Sequence, residues 1–303
     1  MLRTILLVTI AVIAFAANSL LCRMALVNTG IDPTSFIVLR LVSGTITLII
    51  LSLLLHLRSN TMTTISSLLQ SIKANTSLST GIALFLYATC FSYAYITMST
   101  GSGALLLFGS VQLTMITLGF IQGERFAFLQ WTGFAIAFAG LITLLLPSAS
   151  APSILSSAMM TLAGMAWGVY SLLGKRSRSA LLATTGNFIY ASVLCIPLVI
   201  VVLFVFPLNL TLVNLSSTAL WHHEGIVYAL GSGIFASACG YAIWYTALPL
   251  IKSTTAATVQ LSVPVIATLM GWLFLGESVS WQIAIASSMT LGGIYLVIMG
   301  KAR

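Results

Sequence analysis

The chain has 303 residues, of which 59% are hydrophobic and only 5% charged, and its mean hydropathy is +1.11. A soluble domain covers itself with about 25% charged residues, so an aqueous surface cannot be assembled here and a water-soluble enzyme or binding module is excluded. The formal charge of +8 comes from single Lys and Arg residues set between long apolar runs. It does not form the clustered basic face that nucleic acid requires.

In chain order, ten runs are apolar enough for a helix to cross the bilayer, which takes about 20 residues and leaves every backbone group bonded within its own segment. They are 4–27, 33–57, 78–98, 102–121 and 129–147, then 154–174, 182–207, 225–247, 254–275 and 281–299. Asp32-Pro33, Gly123-Glu124, Pro147, Pro207, Pro249 and Gly276-Glu277 stand at or near the run ends, where helix breakers belong. Arg3, the apolar stretch after it and Ala14-Phe15-Ala16 have the outline of a signal peptide. The stretch outruns a signal core and has a counterpart later in the chain, so span one is expected to be retained. Cys22, Cys90, Cys195 and Cys239 each fall inside an apolar run with no Cys-x-x-Cys or Cys/His ligand spacing. No disulfide, metal or cofactor is expected, and the adjacent His222-His223-Glu224 lacks the spacing that converges on one ion.

Basic residues are retained on the cytoplasmic side of short loops. With ten spans, Arg3, Arg58, Lys73, Arg125, Lys175, Arg176, Arg178, Lys252, Lys301 and Arg303 all fall on one side, while Arg23 and Arg40 lie within spans. The expectation is a multi-pass protein of a prokaryotic cytoplasmic (inner) membrane with both termini in the cytoplasm.

An offset of 152 or 153 positions lays the second half on the first: Gly123-Glu124 on Gly276-Glu277, Gly140 on Gly293, Phe15 on Trp167 and Arg23 on Lys175. Five spans is an odd number, so the units 1–150 and 151–303 are expected to be inverted with respect to each other. Two inverted copies can exchange conformations and open one central site to each side in turn, which is the architecture of a carrier. The fold class is therefore all-α integral membrane, with ten transmembrane helices as two inverted five-helix repeats.

The Gly-Glu pair after spans four and nine, the 247–257 stretch with Ser253-Thr254-Thr255-Ala256-Ala257, then Pro264, Leu275-Gly276-Glu277 and Arg40 together resemble the drug/metabolite transporter superfamily, specifically its EamA-type ten-helix permeases. The resemblance implies a basket of spans one to four and six to nine around a central cavity, with spans five and ten outside. It includes an arginine in span two irrespective of substrate. Val111 stands where the first half would match Pro264, so a bend is expected in span nine rather than in span four.

Polar and aromatic groups deep in the spans are the candidates for chemistry, because burying them in lipid is costly. Asn18, Gln112 and Gln260 are in-span amides that either contact a solute or hold helices together. Tyr87, Phe91 and Tyr95 share one helical face, and Tyr241, Trp244 and Tyr245 answer them in span eight. Substrate contact is expected at Asn18, Tyr87, Gln112, Trp167, Tyr170, Tyr241 and Gln260, with Tyr93 and Tyr95 gating the outer end and Trp244 and Tyr245 the inner end. At those depths the same rings can instead anchor the helices at the interface. Arg40 is on the order of 10 Å along its helix from Pro33; it is taken as a structural charge needing a partner, with Asp32 nearest in sequence and a substrate carboxylate as the alternative. Arg23 is expected to snorkel outward.

All four acids, Asp32, Glu124, Glu224 and Glu277, lie in loops or at span ends. Ion-coupled pumps keep a carboxylate in the membrane, so exchange or facilitated diffusion is expected. The partners are a small-molecule solute, most plausibly an amino acid or related compound for export, and the lipid bilayer. Gly133, Gly140, Gly293 and Gly300 at seven-residue spacing on spans five and ten suggest a weak homodimer face, the alternative being a monomer. Competing readings are a multispecific drug or organic-cation efflux protein, a non-transporting scaffold and an intramembrane enzyme. The last lacks any in-span His, Asp or Glu to activate a nucleophile.

Overall fold

A computed structural model describes residues 2–58, 65–121, 127–146, 152–174, 179–205, 223–247, 250–251 and 259–300. Glu124, Arg125, Lys175, Arg176, Arg178, Lys252, Lys301, Arg303, His222, the breakers Gly123, Pro147, Pro207 and Pro249, and Ser253 to Ala257 lie outside these residues. Every regular element among the described residues is a helix: α1 (Leu2–Asn28), α2 (Pro33–Arg58), α3 (Ile65–Asn75), α4 (Leu78–Ala94), α5 (Thr100–Ile121), α6 (Phe128–Leu145), α7 (Ile154–Gly174), α8 (Ala180–Val205), α9 (His223–Ala247), α10 (Ser262–Leu275) and α11 (Trp281–Met299).

Seven of these are long and apolar enough to cross a membrane, and an eighth is added if α3 and α4, bent by 76° at their junction, count as one span. Helix α7 (21 residues) and the shorter apolar α10 (14 residues) occupy the sixth and ninth expected positions. The molecule is thus an all-α multi-pass membrane protein. Large side chains such as Leu54, Ile196, Phe204 and Trp272 stay exposed on the outside of the bundle, where lipid rather than water is the matching solvent.

Local chemistry explains where the helices start and stop. Pro33 opens α2, where its missing N–H costs nothing, and Asp32 Oδ1 accepts from Ser35 N at 2.9 Å. Ser77 and Thr80 form a reciprocal capping box on α4, and the Ser280 hydroxyl caps α11. Gly276 ends α10 at φ 64°, a left-handed position that favours glycine.

Two expectations about the elements are corrected. Helix α3 lies in what reads as a polar loop; it buries Leu68 and Ile72 and leaves Leu69 exposed, a narrow apolar stripe too short to register as a span. The third run, expected to 98, ends its helix at Ala94. Val259 and Gln260 are helical and Leu261 is a turn before α10 opens at Ser262, so the ninth run is interrupted beside Pro264, which sits in the first turn of α10, where proline is tolerated.

The helices contact one another in pairs that exchange when the two halves are exchanged. Helix α4 packs on α7 and α1 on the C-terminal part of α9; α5 packs on α7 and α1 on α10; α4 packs on α8 and α2 on α9. Helices α2 with α8, α5 with α10, and α6 with α11 meet their own counterparts. The α6 and α11 pair packs chiefly on itself and touches the remainder mainly through α5, which places it at the periphery.

Glycines set the tightest crossings. A Cβ on Gly293 would meet Gly133 O at 2.5 Å and the backbone of Ala137, and one on Gly140 would meet Thr290 Oγ1 at 2.5 Å. A Cβ on Gly300 would meet Gln130 Cγ at 2.5 Å. The glycine stripe expected to face a second copy is therefore consumed inside one chain, because backbones this close leave no room for another helix.

Candidate substrate site

The interior of the bundle holds a cluster of polar groups among aromatic rings. Asn18 on α1 donates from Nδ2 to the Tyr87 hydroxyl on α4 at 3.2 Å, and its Oδ1 accepts from the Ser232 hydroxyl on α9 at 2.7 Å. Arg40 on α2 is 1% exposed. Its Nε donates to Ser237 Oγ at 3.0 Å, and one terminal nitrogen reaches the hydroxyls of Tyr241 at 3.3 Å and Tyr87 at 3.4 Å. The guanidinium carbon lies 5.1 Å from the centre of the Phe91 ring and 5.4 Å from that of Tyr87, within cation–π range. The other terminal nitrogen, Nη1, is buried with no hydrogen-bond partner among the described residues.

Rings enclose this polar centre. Trp167 on α7 sits with its ring 4.8 Å from both Tyr87 and Tyr241 and 6.2 Å from Phe15, so four helices meet at one indole. Phe15, Asn18, Ser19, Tyr87, Phe91, Leu107, Phe108, Trp167 and Tyr241 line a narrow cavity of about 10 Å³, the room of one water molecule. A solute enters only if the helices separate.

The sequence-predicted residues divide accordingly. Asn18, Tyr87, Trp167 and Tyr241 line the cavity. Tyr170 is buried beneath it, stacked on Trp167 at 5.3 Å, and its hydroxyl accepts from Asn187 at 3.3 Å. Gln112 is buried on α5 but outside the lining, and Gln260 is only half-buried and also outside it. Among the expected gates, Tyr95 is fully buried against Phe91 with its hydroxyl donating to Thr100 O at 3.4 Å. Tyr93 is half-buried and shares a 2.8 Å hydrogen bond with Thr34. Trp244 is buried, edge-on to Phe15 at 5.7 Å, and Tyr245 approaches Tyr170 at 6.3 Å. All four turn inward or pair with another helix, so none is a simple lipid-facing anchor.

Arg40 and Arg23 depart from expectation. Asp32 caps its own helix, and no carboxylate comes within ion-pair distance of Arg40 among the described residues. Phenol and serine hydroxyls take the place of the expected acid. Arg23 turns inward: Nε pairs with Glu277 Oε1 at 3.3 Å, while Nη1 donates to the carbonyls of Tyr95 and Ile96, both at 2.8 Å. Glu277 Oε2 in turn accepts from Thr100 N at 2.7 Å. This tie joins α1, the end of α4, the start of α5 and the end of α10 at one mouth of the bundle.

Ser232 and Ser237 carry no distinguishing sequence signal. They stand five positions apart, which on an α-helix turns them well away from each other. The segment Ser232–Cys239 is π-helical, with about 4.4 residues per turn, and this brings both hydroxyls toward Asn18. Gly233 lies between them, and a Cβ there would strike the Arg40 backbone and the Ser43 hydroxyl.

An all-α membrane bundle closed over a buried polar and aromatic centre is the form of a solute-handling membrane protein. The chain belongs to the EamA-like transporter family, a member of the drug/metabolite transporter superfamily; the family model matches residues 155–299. An uncharacterized protein of Pseudomonas aeruginosa is 43% identical over 303 residues, covering 99% of this chain and 97% of its own. An uncharacterized transporter of Archaeoglobus fulgidus is 25% identical over 225 residues, covering 71% of this chain and 72% of its own. One solved crystal structure superposes with a TM-score of 0.61 at 20% identity, covering 95% of this chain and 97% of the other, a likeness of fold alone.

Proposed function

We propose that the protein is a secondary transporter that moves a small amphipathic metabolite, of the size of an amino acid or related compound, out of the cell by alternating access around the Trp167 cavity. The observation that carries this reading is the convergence of Asn18, Tyr87, Trp167 and Tyr241, from four helices of both halves, on one cavity in a chain of a transporter family. Hydrogen-bonding groups fix orientation and rings hold an apolar body, the usual division of labour in a small-molecule site.

Ten crossings and two inverted five-helix units complete the reading. A helix stands at each of the ten expected positions, and the exchange symmetry of the helix contacts supports a repeat. On the inner-membrane orientation, Arg3, Arg58 and Lys73 face the cytoplasm, and the Arg23–Glu277 tie with Tyr95 closes the outer mouth. Trp244 and Tyr245, with Tyr170, close the inner mouth. A cavity of about 10 Å³ between two closed ends fits a state that opens to each side in turn.

No acid faces the cavity among the described residues, which supports exchange or facilitated diffusion over a carboxylate proton relay and counts against organic-cation efflux. Counterflow in proteoliposomes tests the reading. Accelerated uptake of labelled solute into vesicles preloaded with the same solute is the expected outcome, and uptake at the passive leak rate for every solute class would refute it.

A further inference from the structure

We propose that the transported solute is a monoanion, a carboxylate on an aromatic or similarly apolar body, and that Arg40 binds its charge. This rests on the transporter reading and sharpens it, because rings and hydrogen-bonding groups in the lining suit zwitterionic amino acids equally well.

Arg40 is a permanent cation at 1% exposure with no acid to neutralise it among the described residues. A buried unpaired charge is strongly unfavourable unless something compensates it. The compensation within the chain is partial: two phenol hydroxyls, one serine hydroxyl and two ring faces. Nη1 has no hydrogen-bond partner among the described residues. A guanidinium with a free terminal nitrogen is the donor that fits a carboxylate best.

Three of the side chains that hold or stack on the guanidinium, Tyr87, Phe91 and Tyr241, also line the cavity. A solute entering there meets the cation through a wall of movable rings. Its apolar body meets Phe15, Leu107, Phe108 and Trp167. A monoanion brings the local charge to zero. A zwitterion leaves it at +1 and also brings an ammonium for which the lining offers no carboxylate.

Charge sets direction as well. A monoanion crossing without a co-ion is driven outward by an inside-negative potential, about 50-fold in concentration ratio for each 100 mV. Export then needs no intramembrane acid, in keeping with where the acids lie.

Three probes share one benzyl body and differ in charge: phenylpyruvate at −1, phenylalanine at 0 and phenethylamine at +1. Calorimetric titration of the full chain in lipid nanodiscs is expected to give phenylpyruvate the tightest binding, at least tenfold over the other two. Arg40→Met should abolish that preference and Arg40→Lys should retain part of it. Asn18→Asp, which sets a carboxylate beside Ser237 and so cancels the charge of the cluster, should remove the preference for phenylpyruvate while phenylalanine still binds, a result that loss of structure alone cannot produce. In proteoliposomes, net phenylpyruvate efflux into solute-free medium should be accelerated by an inside-negative valinomycin-clamped potassium potential. Equal or tighter binding of phenylalanine by the wild type, or an unchanged order in Asn18→Asp, overturns the anion assignment while leaving the transporter reading intact. Selective anion binding without flux of any probe overturns the transporter reading instead.

Discussion

Trp167 meets rings from α1, α4 and α9 as well as its own Tyr170. Each aromatic pair contributes about 0.5–1.5 kcal/mol beyond its buried area, so Trp167→Ala removes several contacts together. Transport should fall at least tenfold in proteoliposome flux, while Trp167→Phe, which keeps a ring there, should retain most of it. Asn18→Ala leaves the Ser232 hydroxyl without its acceptor, a loss of about 1–3 kcal/mol for a buried group, and should lower the thermal midpoint of the detergent-purified protein by a few degrees. At this scale Asn18, Tyr87, Trp167, Tyr241 and Arg40 were legible, because a polar or amphipathic side chain deep in an apolar run is costly and so stands out. Gln112 met the same criterion and lies off the cavity, since depth along a helix does not say which way the side chain points. Ser232 and Ser237 were illegible because their common direction depends on a π-helical turn. The Arg23–Glu277 pair joins positions 254 apart, and nothing local to either residue announces the other.

Between elements, the closest approach of α6 and α11 depends on Gly293. A Cβ there meets the backbone of Ala137 and Gly133 O, whereas a Cβ on the adjacent Gly292 meets nothing within 4 Å. Gly293→Val should therefore destabilise the helix pair by about 1–3 kcal/mol, as overpacking does, and lower the yield of monodisperse protein in size-exclusion chromatography. Gly292→Val should behave as wild type. The two glycines are alike in sequence and propensity, so the contrast isolates packing. Helix α9 invites a second test, because its π-helical segment carries Gly233 against Arg40. Gly233→Ala displaces the segment or the arginine, and should impair flux while the protein still inserts and purifies. Sequence periodicity located all but α3 of these helices. The amphipathic α3 escapes periodicity because Ser, Gln and Lys dilute its apolar stripe, and the glycine seam suggests a weak homodimer as readily as a monomer because seven-residue spacing looks the same within a chain as between chains.

Across the whole molecule, membrane topology and alternating access are the properties at stake. Single-cysteine variants report sidedness, since the native thiols Cys22, Cys90 and Cys195 are buried and Cys239 is half-buried. Lys73→Cys should react with an impermeant maleimide only in inside-out vesicles, and Ser278→Cys, beside the Arg23–Glu277 tie, only in intact cells. Reaction of both from the same side would contradict the inverted arrangement. The all-α membrane class is readable from hydropathy because lipid requires a long apolar run for each crossing. The partial neutralisation of Arg40 is not, because it depends on three helices, α2, α4 and α9, converging. The claim beneath all of this is that one central cavity opens alternately to the two sides. Counterflow with the purified wild-type protein tests it most directly. Vesicles preloaded with unlabelled phenylpyruvate should take up external labelled phenylpyruvate to a transient overshoot that is absent without protein. Uptake that never exceeds the passive leak, for this and for every other small amphipathic solute tried, would contradict the account.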